Sequence, residues 1–348
     1  MRIVQKPFGE INGQNVDAYT LINDQNIEIT CLNYGCVITK IVTPNRDGNY
    51  ENIVLGFNNM EDYEKHSPYF GAVVGRVSGR IKGGQFELDG QSFELEMNDN
   101  GNHLHGGSKG FSHVLWDAVI LKNEKEVGIQ FSYTSPDGEE GYPGTVQVTI
   151  TYLLNNDNEF LIHYQANSDK TTLLNLTNHT YFNLSGDLKR DALHHVLKID
   201  SNQFVELNEQ LLPTGELLDV TDTVFDFREG REIEEGVISN HPQNQLVGQG
   251  YDHSFLLNSH HNGEITMWDE ESGRKLVVET DEVSVVLYTG NQLQEDLPVY
   301  GVKSKKYLGL CLETQGLPDA IHHPHFPSYV LEKDQLFSSL TKYTFLVD

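Results

Sequence analysis

Cysteine is scarce in this sequence, and the three that occur, Cys31, Cys36 and Cys311, form no C-x-x-C pair. An odd and sparse set excludes a disulfide framework and predicts a reducing compartment. Long apolar runs are also missing: none reaches the roughly 18 residues of a membrane span, and the first residues lack the apolar stretch of a signal peptide. The sequence therefore predicts a soluble, cytoplasmic protein with no membrane partner.

Positive charge is the second scarcity. The chain has 24 Lys and Arg against 51 Asp and Glu, which gives a formal net charge of -27. No basic patch is dense enough for nucleic acid, so a nucleic-acid partner is not expected. Such a surface repels anionic metabolites at long range and favours a neutral substrate, although solubility alone explains the acidity equally well.

Helical periodicity is rare, and short alternating runs separated by turns dominate the 348 residues. The clearest hairpin spans residues 86–95, with Asp89-Gly90 at the position of a tight turn. One short helix is predicted over residues 60–65. Further strand-like runs occupy residues 146–150, 160–164, 196–199, 275–279, 283–288 and 307–312. No linker or repeat divides the chain, so we predict an all-β fold over 1–348 as one domain: a large antiparallel β-sandwich with few short helices.

The common cofactor and nucleophile motifs are absent. No G-x-G-x-x-G or P-loop follows a strand, and there is no G-x-S-x-G elbow. Two histidine-rich segments, His103-x-His105 and residues 322–325, raise the possibility of a metal site. Neither has cysteine or carboxylate partners at regular spacing, apart from Asp319 beside the second. The sequence therefore predicts neither an organic cofactor nor a metal.

Two polar residues stand out in apolar surroundings. His179 lies in a predicted strand over residues 171–184, where the neighbouring Asn178 and Thr180 are able to hydrogen-bond it. Its reference pKa near 6.5 suits a general acid or base, but a structural histidine would fit the pattern too. Glu313 ends an apolar strand. A buried carboxylate there costs several kcal/mol unless it is paired or neutralised, whereas at an exposed strand mouth it would cost little.

Three further segments carry polar residues of interest. A glycine-rich loop over residues 98–107 contains His103 and His105, and residues 75–81 contain Arg76 and Arg80 between small residues. Asp252 comes directly before an apolar strand. These polar residues stand out because a core strand is expected to be apolar.

Ten segments, taken in this order along the chain, resemble the aldose 1-epimerase (galactose mutarotase) family. The resemblance covers nearly the whole sequence and implies a galactose mutarotase-like supersandwich, in agreement with the strand pattern. The matching segments are Leu-Gly-Phe at 55–57, Ser-Pro-Tyr-Phe-Gly at 67–71, Gly-Arg-Ile at 79–81, His-Leu-His-Gly-Gly at 103–107, Gly-Tyr-Pro-Gly at 141–144, the run 175–184, Pro-Thr-Gly-Glu at 213–216, Tyr-Asp-His at 251–253, Tyr-Thr-Gly-Asn at 288–291 and Glu-Thr-Gln at 313–315.

The resemblance implies a role for each matched polar residue. His179 matches the general acid on the sugar ring oxygen, and Glu313 matches the base that removes the proton of the anomeric hydroxyl. Arg80, His105 and Asp252 match residues that bind sugar hydroxyls. In this mechanism His179 starts as a cation and Glu313 as an anion, and we expect a nearby Asp252 to help keep the imidazolium charged.

Two positions depart from the family pattern. Gly79 replaces an Asn that many members have before the arginine, and Val286 replaces a sugar-binding Gln of some members. Neither change touches the acid–base pair, but both bear on which sugars fit.

The resemblance therefore implies an isomerase that interconverts the α and β anomers of a neutral aldose such as D-galactose or D-glucose. Its only implied partner is the small-molecule sugar, and the protein would be a monomer or a homodimer. Three alternatives remain: a hexose 6-phosphate 1-epimerase, a non-catalytic sugar-binding sandwich, and an inverting glycosidase that uses Asp252 and Glu313.

Overall fold

The computed structural model describes all 348 residues. Strands dominate it, as the turn-punctuated sequence predicts. The strands are β1 Arg2–Ile11, β2 Gln14–Ile22, β3 Glu28–Leu32, β4 Ile38–Pro44, β5 Tyr50–Asn52, β6 Val73–Val74, β7 Arg80–Ile81, β8 Gln85–Leu88, β9 Gln91–Glu94, β10 His103–Leu104, β11 Asp117–Lys122, β12 Glu126–Ser135, β13 Val146–Asn155, β14 Glu159–Ser168, β15 Thr172–Leu173, β16 Thr177–Asn178, β17 Tyr181–Phe182, β18 Val196–Ile199, β19 Gln203–Leu207, β20 Pro213–Asp219, β21 Arg231–Glu232, β22 Asp252–Leu256, β23 Ile265–Trp268, β24 Arg274–Thr280, β25 Ser284–Tyr288, β26 Pro298–Val299, β27 Val302–Lys303, β28 Leu310–Gln315, β29 Val330–Leu331 and β30 Phe337–Val347.

Helices are few and short, which confirms the all-β prediction. The α-helices are α1 Met60–His66, α2 Ile233–Val237 and α3 Pro242–Leu246, and single 3-10 turns cover Lys82–Gly84, Phe111–His113, Glu139–Gly141 and Ala320–His322. Helix α1 matches the predicted one within a residue and is capped by the Asn59 side chain, which accepts from the Asp62 N–H. None of these helices has the length and apolar character that crossing a membrane requires.

Three antiparallel sheets form the body of the molecule. The largest has nine strands in the order β11-β12-β13-β14-β30-β24-β23-β18-β21, the second has six in the order β17-β28-β25-β22-β19-β20, and the third has five, β1 to β5. The predicted hairpin is β8–β9, and its turn residues Asp89 and Gly90 both have positive φ, as a type I′ turn requires.

The six-stranded sheet has one apolar and one polar face. Leu310 and Leu312 of β28 and Val285 and Leu287 of β25 are buried in the main core together with residues of the nine-stranded sheet. Burying each such side chain contributes about 1.5–3 kcal/mol. Because successive side chains of a strand point to opposite faces, the alternate residues of these strands are directed away from the core. Glu313 is among them.

Two strand predictions need correction. The predicted strand over 171–184 is in fact three two-residue strands, β15, β16 and β17, and His179 lies between the last two. Its backbone N–H donates to Ala72, and its carbonyl accepts from Gly71. The predicted strand at 307–312 begins later, at Leu310, and runs on to Gln315. Glu313 is therefore inside a buried strand rather than at an exposed mouth, and only 3% of it is exposed.

Candidate active site

A cavity of about 230 Å³ lies on the polar face of the six-stranded sheet. All five residues that the sequence resemblance selected line it, although they come from five separate parts of the chain. The cavity lining includes Arg80, His105, His179, Asp252 and Glu313, with Tyr69, Tyr181, Ser254, Val286, Tyr288 and Gln315 among their neighbours.

His179 and Glu313 face each other in this cavity. The distance from His179 Nε2 to Glu313 Oε1 is 3.4 Å, and both side chains are almost fully buried. The other imidazole nitrogen, Nδ1, lies 3.4 Å from the Cys311 thiol, which is two residues before Glu313 on the same face of β28. One strand therefore contacts both nitrogens of the ring, and the imidazole edge with Nε2 is directed at the carboxylate.

The expected hydrogen bonds from Asn178 and Thr180 to the His179 ring do not occur. Thr180 Oγ1 donates to Asn178 Oδ1, and Asn178 Nδ2 donates to the Gly71 carbonyl. Both side chains point away from the ring because neighbours along an extended chain project to opposite sides. Their polar groups position the loop that carries His179 and leave its ring to β28.

Three tyrosines surround the His179 ring, and sequence reasoning assigned none of them a role. The ring centroids of Tyr69, Tyr181 and Tyr288 lie 5.7, 5.1 and 6.3 Å from that of the imidazole. Their rings contribute to the burial of the imidazole, which is 5% exposed. Tyr181 follows His179 by two residues, and this spacing was the one available signal that both share a face.

Burial shifts the pKa values of the pair in opposite directions. It lowers the pKa of His179 to about 4, because the cation loses its hydration. Burial also raises the pKa of Glu313 well above its usual value, and the nearby charge of Asp252 raises it further, while Arg80 lowers it. The expectation that Asp252 keeps His179 cationic is therefore wrong: the negative charge of Asp252 acts on Glu313.

Arg80 and His105 present donors to the cavity. Arg80 Nε donates to Asp99 Oδ2 over 2.7 Å, which orients the guanidinium and leaves its other N–H groups for a ligand. The Gly79 N–H donates to His105 Nδ1 at 3.2 Å, so Nδ1 is the acceptor and the proton of this neutral ring is on Nε2. Burial lowers the pKa of His105 well below 6.5 and keeps it neutral.

The backbone and the packing at Gly79 favour glycine. Its φ is +74°, and a Cβ there would lie 2.9 Å from the Pro318 side chain. A residue with a side chain at this position would need both a left-handed backbone and a shift of Pro318. The departure from Asn is thus coupled to local packing beside Arg80.

Arg76 and His103 share sequence motifs with Arg80 and His105, but their contacts are structural. The buried guanidinium of Arg76 donates to the carbonyls of Ser135, Pro136 and Pro143. His103 Nδ1 bonds the Glu96 carbonyl at 2.7 Å, and the ring packs edge-on against Tyr142. Sequence spacing alone did not separate Arg76 from Arg80, or His103 from His105.

One set of cavity residues could offer ligand atoms to a metal ion, namely His105, His179 and Glu313. The bond from the Gly79 N–H to His105 Nδ1 opposes this, because it places a proton on Nε2, where a ligand needs a lone pair. The donor set is better suited to hydroxyl groups than to a cation, and the prediction of a metal-free protein stays a prediction.

A family model, similar protein sequences and a similar solved structure all indicate the same family. The aldose 1-epimerase family model matches residues 17–344. The chain is 38% identical to the galactose mutarotase of Sus scrofa, covering 99% of both chains, and 32% identical to the aldose 1-epimerase of Escherichia coli K12, covering 97% of both. The crystal structure of galactose 1-epimerase from Lactobacillus acidophilus NCFM superimposes with a TM-score of 0.89 at 28% identity, covering 99% of both chains.

Proposed function

The chain belongs to the aldose 1-epimerase family, and we propose that His179 and Glu313 are the acid–base pair with which it interconverts the α and β anomers of a neutral aldose such as D-galactose. The enzyme is an isomerase of the epimerase class. The observation that carries the assignment of the pair is the 3.4 Å approach of His179 Nε2 to Glu313 Oε1 inside the cavity.

Anomer exchange requires opening a hemiacetal. Glu313 removes the proton of the anomeric hydroxyl, and His179 delivers a proton to the ring oxygen, so that no charge accumulates on the sugar. Each partner contributes about 10²–10⁴-fold. The open-chain aldehyde turns about its C1–C2 bond, and the two groups then exchange roles as the ring closes on the other face. No proton is gained or lost over the cycle.

The buried surroundings favour the ring-opening step. Before it, His179 carries a positive and Glu313 a negative charge; after it, both are neutral. Burial disfavours both charges, as the lowered pKa of His179 and the raised pKa of Glu313 record. The same desolvation therefore lowers the free energy of the open-chain state relative to that of the ionised pair.

The two groups titrate as one coupled unit, since their nitrogen and oxygen atoms lie 3.4 Å apart. Between its two macroscopic pKa values the pair holds one proton, which is the number that the reaction requires. Above the upper value no proton is left for the ring oxygen, and below the lower value no base remains. The rate should therefore follow a bell-shaped pH dependence.

Substrate charge is the first property that this cavity selects. Arg80 is the sole Lys or Arg among the lining residues, and Asp99 already pairs with it. Asp252 and Glu313 add carboxyl groups, and the whole chain carries a net charge of -27. A phosphate would meet repulsion without a second cation to bind it.

We expect neutral aldoses to have kcat/KM at least about tenfold above that of their 6-phosphates, because of this shortage of cations. Polarimetry of fresh α-D-galactose, α-D-glucose and their 6-phosphates, with the uncatalysed rate subtracted, measures it. Better turnover of a 6-phosphate would favour the phosphosugar alternative.

EDTA should leave the rates on all of these sugars unchanged. Loss of activity in EDTA that a divalent ion restores would refute the metal-free mechanism.

Two variants should move the basic limb of the pH profile in opposite directions. Asp252→Asn removes a negative charge that raises the pKa of Glu313, so the limb should move to lower pH. Arg80→Met removes a positive charge that lowers this pKa, so the limb should move to higher pH. The readout is the pH at which log(kcat/KM) begins to fall on the basic side. The height of the profile is not used, because both variants also lose hydroxyl contacts and this loss lowers kcat/KM at every pH. Shifts in the same direction would contradict the assigned electrostatics.

A further inference from the structure

The cavity contains one buried polar group that neither the acid–base chemistry nor the protein's own hydrogen bonds use, the side-chain amide of Gln315. The residue is 1% exposed, and both its oxygen Oε1 and its nitrogen Nε2 lack a hydrogen-bond partner. Leaving such an amide unpaired costs about 1–3 kcal/mol. Gln315 lines the cavity together with Glu313.

The neighbours of Gln315 explain why its amide has no partner. Its cross-strand partner on β25 is Ser284, whose hydroxyl donates to the backbone carbonyl of Gln315 at 2.7 Å and is therefore not available to the amide. Val286, diagonal to Gln315 on the same face, offers only methyl groups. The Asn175 side chain bonds the backbone of the next residue, Gly316. The amide is thus left for whatever occupies the cavity.

The position of Gln315 along β28 indicates which part of a sugar it meets. Cys311, Glu313 and Gln315 follow one another on one face of this strand, at intervals of about 6.8 Å. Cys311 underlies His179, the group assigned to the ring oxygen, and Glu313 is assigned to the anomeric hydroxyl. Gln315 is the next residue on this face in the same direction, so it lies beyond the anomeric carbon on the side away from the ring oxygen. The sugar carbon on that side is C2.

We propose that Gln315 binds the 2-hydroxyl of the aldose and is a specificity-determining residue of this enzyme. Its amide has both a donor and an acceptor, as a hydroxyl requires. The contact persists through ring opening, because C2 keeps its hydroxyl while C1 becomes the aldehyde. This inference rests on the proposed roles of His179 and Glu313, which fix how the sugar lies.

The test pairs a change in the protein with a change in the sugar. Gln315→Met keeps the length of the side chain and removes both polar atoms. We expect kcat/KM for D-galactose to fall by about tenfold or more, and kcat/KM for 2-deoxy-D-galactose to stay within about threefold of wild type. The 2-hydroxyl also alters the intrinsic rate of ring opening, but this effect is the same in wild type and variant. It therefore cancels when the wild-type to variant ratio of kcat/KM for one sugar is divided by the same ratio for the other sugar.

Two controls fix the interpretation. Gln292→Met makes the same replacement at an exposed position on the cavity rim and should leave the ratio of the two sugars unchanged. 6-Deoxy-D-galactose should lose as much as D-galactose in Gln315→Met, because it keeps its 2-hydroxyl. Equal losses on all three sugars would overturn the contact, and a loss that spares only the 6-deoxy sugar would overturn its assignment to C2. Wild-type turnover of D-galactose tests the proposed function separately.

Discussion

Glu313→Gln should lower kcat by roughly 10²-fold or more while KM stays within a few-fold, measured by polarimetry on α-D-galactose. The amide keeps the shape and reach of the carboxylate, so that the sugar still binds. It has no basic oxygen to remove the proton of the anomeric hydroxyl, so the ring opens only by slower routes. The loss therefore falls on the chemical step.

The pH dependence of the residual rate gives a second readout for this variant. Without Glu313, the remaining titrating partner is His179, whose pKa burial lowers to about 4. An acid is active in its protonated form, so the residual rate should rise as pH falls toward that value. A rate independent of pH would mean that His179 is not the acid.

Glu282→Gln is the matched control. Glu282 is another partly buried carboxyl group, but it accepts from Ser339 Oγ at 2.5 Å and lies outside the active-site cavity. Its kcat should stay near that of wild type. If Glu313→Gln folds with the circular dichroism and Tm of wild type and keeps a near-normal kcat, the base lies elsewhere, and Asp252 becomes the first candidate.

His179→Asn should also lower kcat by about 10²-fold or more, because the amide can donate a hydrogen bond to the ring oxygen but cannot transfer a proton. Its pH profile should differ from that of wild type. Glu313 alone then titrates, and it is active as the anion. The residual rate should rise with pH to a plateau and lose the basic limb of the bell.

His103→Asn separates catalysis from stability. His103 is as deeply buried as His179 and belongs to a motif that the sequence resemblance singled out. Its ring, however, bonds the Glu96 carbonyl and packs on Tyr142. For His103→Asn we expect a lower Tm and a kcat per folded molecule close to that of wild type.

The outcome that would contradict the role of His179 is a basic limb that persists in His179→Asn. It would show that the essential proton is held by another group.

The sequence by itself determined the fold class and the family. Alternating runs and turn chemistry, such as Asp89-Gly90 in the β8–β9 hairpin, are local properties, and local geometry follows from neighbouring residues. Resemblance to the family also identifies the candidate acid–base pair and the three candidate sugar-binding residues from the sequence. Composition and spacing alone left His179 and Glu313 each with a structural alternative.

Only the tertiary structure decided which polar residues meet. Arg76 and Arg80 are four residues apart, yet one is enclosed by backbone carbonyls and the other lines the cavity. The pairing of β25 with β28 places Val286 opposite Glu313 and Ser284 opposite Gln315, and this register leaves the Gln315 amide unpaired. The charge of Asp252, which was expected to act on His179, instead raises the pKa of Glu313. Strand register, burial and long-range electrostatics depend on groups that are distant in sequence, so their outcome exists only once the sheets have assembled.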